Sequence, residues 1–186
     1  MQNDRRIRRT KRALAAAITE LASSHPYDTI TIREITEKAD VGYATFFRHY
    51  NSKDDLMLEI FDNVTKGLEM PDNQSSPDRL FHEGERAFTQ VKQNAAVFRG
   101  VLCNYGLTRK LKKVLMEHIR RSMEQQSSLP ANQDIPPDIT VHQMAVSVIG
   151  LFEWWLDEKM HTPVEEMARI YEILIRQASE PPLSDD

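Results

Sequence analysis

Residues 31–53, TIREITEKADVGYATFFRHYNSK, constrain this chain more tightly than any other stretch. Thr31 and Glu34 stand three residues apart in the form of a capping box, where hydroxyl and carboxylate each satisfy a backbone N–H at a helix start. Ile32, Ile35 and Ala39 follow at helical spacing, so a short helix with one buried stripe is predicted to end near Ala39. Asp40, Val41 and Gly42 are turn-forming residues around one apolar side chain, which suits the turn of a helix-turn-helix. Tyr43 to Tyr50 then supplies about two more helical turns. Ser52 with Asp55 opens a further helix, running from Lys53 through Leu56, Ile60 and Val64.

The aromatic residues of this segment need sorting. On a helical wheel Tyr43, Phe46, Phe47 and Tyr50 fall within about 100°, so pattern alone makes all four core. A helix of two turns can hardly bury four aromatic rings. Phe46 and Tyr50 lie on the side continuous with Val41 and are predicted to pack, which leaves Tyr43 and Phe47 towards Ala44 and Arg48 at the solvent edge. Such an exposed face suits a major groove: small Ala44 permits close approach to a thymine methyl, and Tyr43 can meet a base edge or a phosphate.

From Ile30 to Leu56 the residues resemble, almost position by position, the N-terminal domain of the tetracycline-repressor (TetR/AcrR) family, whose usual pattern is close to I-T-V/I-R-D/E-I-A-x-x-A-G-V-S-x-x-T-F-Y-x-H-F-x-S-K-x-x-L. Two departures stand out. Asp40 replaces the usual Gly, and Phe47 replaces the usual Tyr, removing a hydroxyl that in relatives reaches a backbone phosphate. The resemblance implies DNA contacts from Arg33, Gly42, Tyr43, Ala44, Thr45, Phe47, Arg48, His49 and Lys53, with Arg33 on a guanine edge and Thr45, His49 and Lys53 on phosphates. Lys53 also stands at a helix N-terminus, where backbone amides favour an anion.

Charge is distributed unevenly. The chain of 186 residues has a formal net charge of −4, yet residues 1–53 hold 10 Lys and Arg against 6 Asp and Glu. The positive end is therefore the end with the helix-turn-helix, and a distant acidic region does not cancel it beyond a Debye length of about 8 Å. Arg5, Arg6, Arg8, Arg9, Lys11 and Arg12 are expected to form a basic arm leading into a first helix, able to follow the DNA backbone or enter the minor groove. Ile7, Leu14, Ala17, Ile18 and Leu21 recur with helical period, and Glu20 ends the apolar run early, so this is an amphipathic helix rather than a secretory leader. Cys103 is the single cysteine, which excludes an intrachain disulfide and suits a reducing cytoplasm. The longest uncharged stretch, Thr140 to Phe152, falls short of the roughly 20 residues that cross a bilayer.

Beyond the loop PDNQSSP, helices are predicted from Pro77 to about Lys92, Asn94 to Asn104, Thr108 to about Gln126, Asp138 to about Lys159 and Pro163 to Ala178, with Gly106 as a break. No strand pattern is present. The fold class expected is all-α: an N-terminal three-helix helix-turn-helix DNA-binding domain over 1–62 and a C-terminal helical-bundle ligand-binding and dimerisation domain over 63–186. The last two helices are apolar over more than one face, so a second copy is expected against them, at Ile149, Phe152, Leu156, Met167, Tyr171 and Leu174. In relatives the second domain encloses a small-molecule cavity, and the resemblance implies one lined by some of Phe88, Phe98, Leu102, Tyr105, Leu115, Ile119, Met144 and Trp154.

Enzyme signatures are missing: there is no phosphate-cradling glycine loop, no HExxH and no metal-ligand spacing, and no cofactor is expected. The function expected is a homodimeric, sequence-specific transcriptional regulator, a repressor released from a palindromic operator on double-stranded DNA by a small-molecule effector. The alternative is a helical dimeric binding module that keeps the fold and has lost sequence reading.

Overall fold

The computed structural model describes residues 2–65, 78–125 and 135–179. Among these residues every regular element is helical. They fall into two compact units, one made of residues up to 65 together with 94–108, the other of 78–93 and 109–179. The boundary expected near residue 63 therefore misses one excursion, the return of 94–108 to the first unit. The expected helix start at Ser76-Pro77 lies outside the described residues, as does most of the loop 130–137.

The first unit contains α1 (Gln2–Ser24), a 3-10 turn (Tyr27–Thr29), α2 (Ile32–Lys38), α3 (Tyr43–Phe46), α4 (Lys53–Thr65) and, after α5 (Arg79–Gln93) of the other unit, α6 (Ala95–Cys103). Leu14, Ala17 and Ile18 of α1, Ile35 of α2, Phe46 of α3 and Leu56, Met57 and Phe61 of α4 are among its buried residues, so each helix turns one apolar stripe inward. Helix α6 joins this core because Phe98 meets Phe61 edge to face at 6.0 Å. Gly100 also lets the Tyr27 ring and Met57 within 3.1 Å of where a side chain would begin.

Two details of α1 differ from expectation. Helix begins at Gln2, so the basic residues from Arg5 to Arg12 belong to its first turns rather than to an arm. Ile7 is exposed with its neighbours from Arg5 to Arg9, so among the described residues that end of the helix is not part of the core.

The second unit contains α5, most of α7 (Tyr105–Gln125), α8 (Pro137–Asp157) and α9 (Val164–Ser179). Gly106 does not break the chain; Asn104 does. Its backbone is extended, at φ −108° and ψ 117°, and its side-chain oxygen accepts the Leu107 N–H at 3.1 Å, so it caps the start of α7. Inside the unit, Phe88 of α5 meets Phe152 and Trp155 of α8 edge to face at 5.3 and 5.2 Å. The buried Glu83 carboxylate accepts from Arg79 at 2.8 Å and from Ser122 at 3.4 Å, with His118 Nε2 4.0 Å away. Desolvation lowers the His118 pKa against the opposing pull of Glu83, with Arg79 and Arg121 adding to the fall. Helix α8 is long and apolar enough to cross a bilayer by length and composition, but half of that span is buried inside the structure as a core helix.

Candidate nucleic-acid interface

The reading segment is built by its ends. Thr31 Oγ1 accepts the Glu34 N–H at 3.2 Å, and the Glu34 carboxylate accepts the Thr31 N–H at 2.7 Å, so the predicted capping box starts α2. The Thr31 hydroxyl also lies 2.7 Å from that carboxylate, and its bond, then that of the Thr31 N–H, holds the exposed Glu34 carboxyl below its ordinary pKa. Helix α2 ends in a Schellman motif: Asp40 N–H donates to the Glu37 carbonyl at 3.2 Å and Val41 N–H to that of Thr36 at 3.0 Å. This closure sets Asp40 at φ 52°, the left-handed region that glycine occupies without strain. The glycine of the family pattern is thus explained, and Asp40 is strained in its place. Gly42, where the pattern has Ser, is a further departure, as are Thr36 for Ala and Tyr50 for Phe. Gly42 caps α3 with no side-chain bond, and its backbone, at φ −60°, does not require glycine.

Helix α3 is shorter than the two turns expected. Regular α-helix covers Tyr43–Phe46, after which Arg48 donates to Thr45 at 3.2 Å and His49 to Phe46 at 2.9 Å in tighter i to i+3 turns. The sorting of its aromatics agrees with the pattern. Phe46 and Tyr50 are 0% and 6% exposed, whereas Tyr43 and Phe47 are 56% and 45% exposed. The rings form a connected stack: Tyr43 on Phe47 at 5.2 Å, Phe47 on Phe46 at 5.4 Å, and Phe46 on Tyr50 at 5.7 Å. Burial, then the Glu59 carboxylate, raises the Tyr50 pKa, so its phenol stays protonated at neutral pH. Lys11 lies 5.3 Å over the Tyr50 ring and pairs with Glu59 at 2.6 Å. The outward pair is therefore mounted on a fixed base.

Around that pair, Gly42, Ala44 and Arg48 are exposed, while Thr45 and His49 are half-buried. An open groove beside α3 is lined by Arg33, Thr36, Glu37, Asp40, Val41, Gly42 and Tyr43. Arg33 Nε donates to Glu37 at 3.1 Å, a partner that the i, i+4 spacing signals and the sequence reading missed. The terminal guanidinium nitrogens remain available for a bidentate contact.

Lys53 is placed differently from its expected role. Its ammonium donates to the carbonyls of Tyr27, Asp28 and Ile30 at 2.9, 3.0 and 2.9 Å, which accounts for all three of its protons. It also lies 4.7 Å over the Tyr27 ring. In this arrangement Lys53 closes the 3-10 turn onto α4 instead of presenting itself to a phosphate. Beside it, Tyr27 donates to Asp54 at 2.6 Å and Asn104 donates to the other Asp54 oxygen at 3.1 Å. Burial and the Asp54 bond push the Tyr27 pKa well up.

The other predicted clusters are scattered. Of the eight residues expected around an effector, Phe98, Leu102 and Tyr105 belong to the first unit and the other five to the second. Phe98 is core, Tyr105 is 84% exposed and Trp154 is half exposed, while Phe88, Ile119 and Met144 are buried and Leu115 is half-buried. Met144 borders a cavity of about 20 Å³ with Ser147, Val148, Leu151, Tyr171, Leu174 and Ile175. That is room for about one water, against about 300–1,000 Å³ for a ligand pocket. Of the six expected interface residues, Ile149, Phe152, Leu156, Met167 and Tyr171 are buried within the protomer itself, and only Leu174 is exposed. The exposed apolar residues of the two last helices are instead Ile139, Val146 and Trp154 on α8 and Ile173 and Leu174 on α9.

An all-helical chain whose helix-turn-helix presents two aromatics, an alanine and two arginines outward belongs to the class of proteins that read DNA through a short recognition helix. The family model described as bacterial regulatory proteins, tetR family, matches residues 13–60, and that described as transcriptional regulator C-terminal region matches 80–177. The chain belongs to the TetR family of transcriptional regulators, and is thus a regulator with a DNA-binding helix-turn-helix. Among curated proteins it is similar to the uncharacterised HTH-type transcriptional regulator YxbF of Bacillus subtilis, 28% identical over 181 residues, covering 90% of this chain and 45% of YxbF. It thus spans less than half the length of that relative. It is also similar to YhgD of the same organism, 23% identical, covering 84% of this chain and 88% of YhgD. Among solved structures, a TetR transcriptional regulator from Streptococcus agalactiae shares the fold at a TM-score of 0.74 and 22% identity, covering 94% of this chain and 98% of that one. The dihydroxyacetone kinase operon activator DhaS shares it at 0.64 and 14%, covering 91% and 96%.

Proposed function

We propose that the chain represses transcription as a homodimer bound to a palindromic operator, and that a small-molecule effector releases it. The observation that carries this reading is the outward face of α3. Tyr43, Ala44, Phe47 and Arg48 are exposed on a segment anchored by buried Phe46 and Tyr50, with Arg33 at the edge of the adjoining groove. One such segment reads only a few base pairs, so useful specificity needs two, about 34–36 Å apart along the duplex. The exposed stripe of Ile139, Val146 and Trp154 on α8 supports a two-fold partner. Gly150 lies on the same stripe, with nothing within 4 Å of where its side chain would begin, so a partner helix can approach closely there. Repression is the reading carried from the resemblance; DhaS, which shares the fold, is by its description an activator.

The test is selection of bound fragments from random duplex DNA, followed by transcription from a promoter carrying the selected site. Recovery of an inverted repeat with a guanine in each half, lost as a preference in Arg33→Ala at roughly 1–3 kcal/mol of discrimination, is the expected result. Binding without base preference would refute the reading. Transcription raised by the protein would refute the repressor assignment alone.

A further inference from the structure

Tyr43 and Phe47 are the two exposed aromatic side chains of the reading segment, and they touch each other edge to face. Exposed apolar surface of this kind is not needed by the fold, since Phe46 and Tyr50 already fill the core side. Its position is also fixed: the Phe47 ring rests on Phe46, which is fully buried, so the pair cannot collapse onto the protein without moving the core. A phenyl ring carries neither donor nor acceptor, so Phe47 has nothing to offer a phosphate oxygen. Within a major groove the apolar group that base pairs present is the C5-methyl of thymine.

We propose that Phe47, held by Tyr43 and Phe46, reads a pyrimidine 5-methyl group, so that each operator half carries a thymine at one fixed position. The same contact accepts 5-methylcytosine in place of thymine, because the two bases share that methyl at the same place on the groove floor. Ala44, exposed one helical turn before Arg48, leaves the space that such a close approach requires. This inference rests on the reading of α3 as the DNA-contacting segment. It goes further in moving position 47 from a backbone contact to a base contact and in naming the chemical group that is recognised.

The test modifies the DNA first, which leaves the folded protein untouched. On the selected operator, each thymine is replaced in turn by deoxyuridine, which removes only the methyl. Affinity is measured at constant salt for the unsubstituted full chain and for Phe47→Ala, whose thermal unfolding is checked in parallel. Removal of one methyl should weaken binding about four-fold per half-site at one symmetric pair of positions. Phe47→Ala should bind the thymine and uracil duplexes equally, and 5-methylcytosine at that position should bind better than cytosine by a similar factor. Two results overturn the proposal while leaving sequence-specific binding intact: no uracil-sensitive position in the operator, or a uracil penalty that survives in Phe47→Ala. Failure to select any sequence would overturn the DNA-reading assignment as well.

Discussion

At the scale of single residues, the informative positions are those where the chain departs from what its neighbours require. Asp40 is one. The two Schellman bonds that end α2 force a left-handed backbone at φ 52°, which costs a non-glycine residue roughly 1–2 kcal/mol, less for Asp than for most. Asp40→Gly should therefore stabilise the chain by about 0.5–1 kcal/mol, after the greater entropy of glycine in the unfolded chain is counted, read as a higher urea midpoint at unchanged m-value. A fall in the midpoint would show that the carboxylate has a stabilising partner in solution. Lys53 is the second. Its three protons lie on the carbonyls of Tyr27, Asp28 and Ile30, so Lys53→Ala strands acceptors that the ammonium now satisfies. The expected loss is about 1–3 kcal/mol of stability, with the salt dependence of DNA binding unchanged. Exposed Arg48 should behave in the opposite way: Arg48→Ala leaves stability alone and flattens the salt slope by about one unit for each phosphate that the guanidinium neutralises. Titration of operator binding across salt separates the two, and a flattened slope in Lys53→Ala would return that ammonium to the phosphate.

At the scale of elements, what is legible in the sequence is what local chemistry decides. The capping box of Thr31 and Glu34, the turn at 40–42 and the inward turn of Phe46 and Tyr50 all follow from residues within one or two helical turns of each other. The misreadings share the opposite property. Gly106 looks like a helix break, yet the break is made by Asn104, whose side chain caps α7 and bonds Asp54, fifty residues away. The allegiance of α6 to the first unit depends on Tyr27, Met57 and Phe61 lying against Gly100 and Phe98, which no periodicity within α6 reveals. The two apolar faces of α8 are plain in its sequence, but which of them is interior is not, because Phe88 settles that from α5. The crossing of α5 and α9 gives a sharp test of such long-range packing. A side chain begun at Gly84 would stand 2.9 Å from Tyr171 Cδ1 and 3.1 Å from the Ala168 Cα, and backbone cannot yield as a flexible side chain can. Gly84→Ala should therefore destabilise the chain by about 1–3 kcal/mol, although alanine is the better helix former. A thermal midpoint equal to or above that of the parent would mean that the two helices are not so close.

At the scale of the whole molecule, charge and apolar surface are divided between functions. The positive excess lies in residues 1–53, and the second unit carries the exposed apolar stripe. If that stripe joins two copies, operator affinity depends on it without any contact to DNA, because two linked heads bind the second half-site as an intramolecular event. Val146→Glu tests this. Val146 is 42% exposed, so a carboxylate there is solvated in a lone protomer and helical content and protomer folding should be unaffected. In a symmetric pair the same carboxylate meets an apolar helix, and near the axis its own copy, so association should fail. Sedimentation should then report a monomer, and affinity for the full inverted repeat should fall by about two orders of magnitude towards that for a single half-site. Affinity for an isolated half-site should stay where it was, which distinguishes lost pairing from a damaged reading head. A variant that remains dimeric would place the mate elsewhere than on the Ile139, Val146 and Trp154 stripe.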